Sequence, residues 1–179
     1  MKTKIFAITV GLASTLALTS AVSFGAEKEE KSADSAKSSV DAKFIKKAAI
    51  GGMTEVELGK IAAKNGQKDD VKSFGDRMVK DHGKANDDLK SVASKMDVKV
   101  PEKVNAKHQA MIDKFSKMSA DSFDAAYVKA MVQDHKKDIA EFEEAQGEVK
   151  NEDLKKFISD TVPMMKEHLE MVEKMQNAK

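Results

Sequence analysis

Met78-Val79-Lys80-Asp81-His82 recurs as Met131-Val132-Gln133-Asp134-His135 and, in looser form, as Met164-Met165-Lys166-Glu167-His168. Each segment sets a thioether and an imidazole four residues apart. On an α-helix that spacing stacks them on one face, a turn apart. The apolar residues on either side keep the same steps of three and four, so each segment is the middle of a long amphipathic helix.

Around the first copy, Val71, Phe74, Met78, His82, Ala85, Leu89, Val92 and Met96 form one stripe, predicting a helix from about Asp69 to Met96. Around the second, Phe123, Tyr127, Met131, His135, Ile139, Phe142 and Ala145 predict a helix from the Ser119-Ala120-Asp121 cap to Gly147. Around the third, Leu154, Phe157, Thr161, Met164, His168, Val172 and Met175 predict a helix opening near Asn151. There Glu152 and Asp153 complement the N-terminal dipole, and Pro163 lies inside.

A further helix without histidine is predicted from Asp41, a plausible N-cap, to Asn65-Gly66. Its inward stripe is Phe44, Ala48, Gly51, Glu55, Leu58 and Ala62, with Glu55 inside the apolar face. Gly51, Gly52 and Gly59 weaken it by roughly 1 kcal/mol each relative to Ala, so they are read as close helix contacts. Between the two halves, Val98 to Pro101 breaks the pattern, and Pro101 is expected to open a short helix carrying Val104, His108, Met111, Phe115 and Met118.

No strand alternation competes. Short links at Gly66 and Gly147 make two antiparallel hairpins, and residues 97 to 120 are long enough to cross between them. The expected fold class is all-α: a ferritin-like four-helix bundle with a long crossover containing a short extra helix. An up-down bundle with a fifth helix is the alternative.

Lys2 and Lys4 precede an apolar run from Ile5 to about Val22 and end at Ser23-Phe24-Gly25, which reads as a signal peptide over residues 1–25. Residues 26–40 are Glu, Lys, Ser and Ala without apolar period and are read as a disordered leader. The bundle domain is then 41–177. Cleavage would remove two lysines and no acid, turning the formal net charge of +1 into −1. Charges of both signs are interspersed and Arg77 is the only Arg, so a nucleic-acid partner is not expected. Nor is stable membrane insertion after signal cleavage. There is no Cys, which excludes disulfides and a lipoprotein anchor and fits an exported helical core in the periplasm or cell envelope. Oligomeric state is not readable.

Several motifs resemble one family in order and spacing. They are Glu55-Val56-Glu57-Leu58-Gly59-Lys60-Ile61-Ala62, Phe74 with Met78 to His82, Phe123-Asp124 with Tyr127 and His135, and Pro163 with His168-Leu169. Over residues 42 to 176 the chain is similar to the exported bacterial family catalogued as domain of unknown function 4142. The resemblance implies a ferritin-like fold and an envelope location but supplies no reaction. Through Met-x-x-x-His alone, the chain is also distantly similar to exported Met- and His-rich bundles that handle copper.

All four histidines fall on apolar stripes. A single such imidazole is more often a hydrogen-bonded core residue than a ligand. Three on separate long helices are harder to dismiss. In register, His82, His135 and His168 would converge at one level, with Glu55 facing them from the first helix. Neutral imidazole binds Cu, Zn or Fe, and a carboxylate adds a harder donor. Glu57 competes with Glu55, since Met53-x-x-x-Glu57 echoes the repeated spacing, but the stripe favours Glu55. His108 is read as core or cap. The methionines are read as core filler.

A di-iron carboxylate centre needs Glu-x-x-His on two helices. Val79, Val132 and Met165 stand three before the histidines here, which disfavours ferroxidase chemistry. Asp81, Asp134 and Glu167 lie about 100° away around the helix and are read as solvated flank charges. No nucleophile elbow or phosphate loop is present, so no catalytic residue is assigned. The first expectation is therefore an exported, non-catalytic bundle that binds or buffers a transition metal. The second is a structural or stress-associated envelope protein with a metal-free histidine network. A metal-dependent oxidase is a weaker third.

Overall fold

Residues 26–178 are described by the computed structural model, with side chains from residue 40 onward, so the signal-peptide reading of residues 1–25 lies outside them. The helices are α1 (Ala26–Asn65), α2 (Asp69–Lys95), α3 (Ala106–Ser116), α4 (Ala120–Glu148) and α5 (Glu152–Asn177). There is no strand among the described residues. Among them, no helix is long and apolar enough to cross a membrane.

Two boundaries differ from the sequence reading. Residues 26–40, expected as a disordered leader, are the first turns of α1. Ala26, Glu27, Lys28, Glu29, Glu30 and Lys31 are strong helix formers, and propensity rather than an apolar period sets that start. The crossover helix opens at Ala106 rather than Pro101, because Asn105 caps it: its side chain accepts from His108 N at 3.1 Å. α5 is capped in the same way, Asn151 accepting from Leu154 N at 3.0 Å, and continues across Pro163.

Asp41, expected as an N-cap, is instead an interior residue of α1 and buried. Its two oxygens accept from the backbone N–H groups of Lys150 and Asn151, both at 3.0 Å, at the α4–α5 link. Asp124, near the start of α4, does the same at the α1–α2 link, accepting from Gln67 N and Lys68 N at 2.9 Å. Asp41, in the first half of α1, thus meets the end of α4, and Asp124, near the start of α4, meets the end of α1, so the two helices are antiparallel. One shift along the chain relates the two locks, carrying Asp41 to Asp124 and Gln67-Lys68 to Lys150-Asn151.

The packed pairs are α1 with α2, α4 with α5, α2 with α5 and α1 with α4, while α3 lies on α1. Lys95, at the end of α2, pairs with Asp153, at the start of α5, which makes that pair antiparallel too. This is the predicted bundle of two hairpins joined by a long crossover. Within the first hairpin the backbones nearly touch: a Cβ added to Gly75 would lie 2.6 Å from Ala63 N and 2.7 Å from Gly59 O.

Two apolar clusters fill the bundle. One contains Leu58, Phe74, Met78, Phe123, Tyr127 and Met131. The other contains Ile45, Ala49, Leu89, Ala145, Leu154 and Phe157. On every long helix, a buried ionisable residue falls between the stretches that feed these clusters: Glu55, His82, His135 and His168. The inward stripe of α1 shifts by one residue in its first half. Ile45, Ala49 and Gly52 are buried, whereas Phe44, Ala48 and Gly51 line a cavity of about 960 Å³ between α1 and α4.

Candidate metal centre

α1 brings Glu55, α2 His82, α4 His135 and α5 His168 to one level, and none of the four is more than 3% exposed. The helical steps of three and four hold each on its inward stripe, and the apolar clusters above and below fix the register. One nitrogen of each histidine lies within 4.8 Å of one nitrogen of the other two. Ring centroids are separated by 5.2 to 5.8 Å, and Phe74 stands edge-on to His168 at 5.8 Å as a wall.

Each imidazole has one nitrogen tied to an acceptor. His82 Nδ1 is 2.9 Å from Glu55 Oε2, His135 Nδ1 is 3.0 Å from the Met131 carbonyl, and His168 Nε2 is 2.9 Å from Asp81 Oδ2. With protons on those nitrogens, lone pairs remain on His82 Nε2, His135 Nε2 and His168 Nδ1. The last two face each other at 3.4 Å. His82 Nε2 and Glu55 Oε1 are buried with no hydrogen-bond partner, and Oε1 is 3.9 Å from His135 Nε2. Such an orphaned group costs about 1–3 kcal/mol.

Burial pushes His82 and His135 down to about 4 and lowers His168 as well, though Asp81 opposes the last. All three are therefore neutral at pH 7, the form that ligates metals. Burial raises Glu55 to about 7, against the pull of His135. Asp81 remains below its ordinary value: its partial burial works upward, but hydrogen bonds from His168 and Arg77 outweigh it.

The four residues singled out in the sequence are thus together. Glu55 rather than Glu57 is the inward carboxylate; Glu57 pairs with Lys60 at 2.7 Å on the surface. His108 is half-buried beside its cap, its Nδ1 2.8 Å from Asn105 Oδ1. Two of the presumed flank charges do more than face solvent. Asp81 is the holder of His168, bonded outward to Arg77 Nε at 3.1 Å. Asp134 lies with Asp138 and Glu55 in a cluster whose oxygens are within 4.8 Å. Its position one residue before His135 turns it from the imidazoles and toward α1. Glu167 is exposed and paired to Arg77 at 2.6 Å, as expected of a surface charge.

Fold and site define an all-helical bundle with a buried histidine cluster. The profile of a domain of unknown function, DUF4142, matches residues 26–175, and the chain belongs to that family. A solved structure described as a DUF305 fragment from Deinococcus radiodurans is similar in fold, with a TM-score of 0.69 at 9% identity over 78% of this chain and 97% of that one. No curated protein matches.

Proposed function

We propose that the protein binds one transition-metal ion at the centre of its bundle, through His82 Nε2, His135 Nε2 and His168 Nδ1, with Glu55 as a further oxygen donor. Three neutral imidazoles and a carboxylate suit Zn²⁺, Cu²⁺ or Fe²⁺, and the chain offers no thiolate. The role we assign is sequestration or buffering. The apolar run and small residues before Ala26 support an exported protein acting in the cell envelope.

The observation that carries the reading is the set of outer anchors. Glu55, the Met131 carbonyl and Asp81 each fix one nitrogen, which leaves His82 Nε2, His135 Nε2 and His168 Nδ1 without a proton, the last two 3.4 Å apart. Ligating histidines are typically held in this way. A metal-free network would need partners for His82 Nε2 and Glu55 Oε1, and neither has one.

The test is metal content and thermal stability of residues 26–179 with Zn, Cu and Fe added singly, beside a His82→Ala, His135→Ala, His168→Ala triple variant and a single His135→Gln variant. One metal is expected to co-purify near one equivalent and to raise the melting temperature with concentration, the gain in unfolding free energy being about 2.7 kcal/mol at a hundredfold excess over Kd. Both variants should lose this. No binding by the parent, with variants that are only less stable, would overturn the reading in favour of a metal-free core.

A further inference from the structure

The histidines do not use every donor at this level of the bundle. Glu55 on α1 and Asp134 and Asp138 on α4 each offer an oxygen within 4.8 Å of the other two. Such a group is by itself only an acidic cluster, but one member is unusual: Glu55 is 3% exposed, its Oε2 is held by His82, and its Oε1 has no partner. A buried carboxylate with one oxygen that accepts no hydrogen bond, and with two further carboxylates within 4.8 Å of it, is a place for positive charge.

We propose that Glu55, Asp134 and Asp138 hold a second divalent cation beside the histidine-bound one, with Glu55 as the carboxylate shared between them. An all-oxygen set of this kind favours a hard ion such as Mn²⁺ or Mg²⁺ over the softer metals that imidazoles prefer. The pairing rests on the histidine site proposed above; the carboxylate position itself does not.

Three features support it. Lys137 is the cation beside the cluster, but it binds Asp138 Oδ1 at 3.0 Å and Glu141 Oε1 at 3.4 Å. Asp138 Oδ2 is left on the side of α1, where Gly51 has no side chain to cover it; a Cβ there would be 3.7 Å away. The cavity of about 960 Å³ is lined by Glu55, Asp134, Asp138 and His82 together, giving both positions one approach. Finally, the shift that carries Asp41 to Asp124 carries Glu55 to Asp138. The antiparallel helices α1 and α4 thus contribute carboxylates from matched positions, within 4.8 Å of each other.

The experiment loads the purified protein with one equivalent of Zn²⁺, then titrates Mn²⁺ and reads bound ion from loss of the free aqua-ion electron paramagnetic resonance signal. Zinc is counted after dialysis. The parent should retain one Zn²⁺ and take up one Mn²⁺. An Asp134→Asn, Asp138→Asn double variant should keep its zinc and bind Mn²⁺ at least tenfold more weakly. Each single variant, used if the double variant does not fold, should show a several-fold loss. Absence of Mn²⁺ uptake by the parent, or uptake by the variants equal to the parent, overturns the proposal. Mn²⁺ uptake that depends on the two aspartates in a protein that takes no zinc would uphold the carboxylate position and overturn the histidine site instead.

Discussion

Asp81 offers no donor to the central point itself, yet it decides which nitrogen of His168 carries a proton. Its carboxylate lies 2.9 Å from His168 Nε2, and Arg77 Nε, 3.1 Å away, keeps it ionised and in place. An Asp81→Asn amide can present its NH₂ group to that nitrogen and so stabilise the opposite tautomer, with the proton on Nδ1. Affinity for Zn²⁺ should fall about 10- to 100-fold, read by competition with a chromophoric chelator, with the helical circular dichroism unchanged. Glu57→Gln, which alters only the surface pair with Lys60, should leave affinity as it is. Tyr127 provides a different residue-scale test. Its ring stacks on Phe123 at 5.7 Å, and its hydroxyl is buried without a partner. In the metal-free protein Tyr127→Phe should therefore be neutral or stabilising by up to about 1 kcal/mol, measured by urea unfolding.

Among the elements, α1 and α2 approach closely enough that glycine decides their spacing. A methyl at Gly75 would meet the backbone of both Ala63 and Gly59, whereas one at Gly83, on the same helix, would meet nothing within 4 Å. Gly75→Ala should cost 1–3 kcal/mol or about that through forced separation, and Gly83→Ala should gain about 0.5–1 kcal/mol from helix propensity alone. Equal effects of the two in urea melts would refute the close approach. Much of this architecture was legible in the sequence because steps of three and four mark a buried helix face directly. The stripes of α2 and α4 and the convergence of His82, His135 and His168 with Glu55 follow from that period. What periodicity does not report is contact between distant segments. Asp41 has the composition of an N-cap, but its partners at Lys150 and Asn151 are far along the chain. Asp81 and Asp134 are off the stripe by the same rule that places their histidines on it. Only the neighbouring helices, α5 for one and α1 for the other, turn them from flank charges into members of the centre.

At the scale of the whole molecule, the buried layer makes stability depend on pH in opposite senses. The histidines, neutral when folded and held down to about 4 at His82 and His135, contribute stability that is full above their unfolded value near 6.5 and is lost as pH falls through 4. His168 on α5 acts in the same direction. Glu55 on α1 and Asp134 on α4, each raised to about 7 chiefly by burial, work the other way: their stabilising protonation is complete at low pH and is lost as pH rises through 7. In the metal-free protein the two sets largely offset each other between pH 6.5 and 4.5, and stability should change only gently across that window. A bound cation removes the offset, because it keeps Glu55 and Asp134 ionised while the unfolded chain still takes up protons on its histidines. Each uncompensated proton is worth about 1.4 kcal/mol per pH unit. The Zn²⁺-saturated protein should therefore be the more stable form at pH 7.5 but lose stability more steeply on acidification, its urea midpoint meeting that of the metal-free protein near pH 4 to 5. Parallel midpoint curves for the two forms would show that no cation displaces protons from this carboxylate and histidine layer.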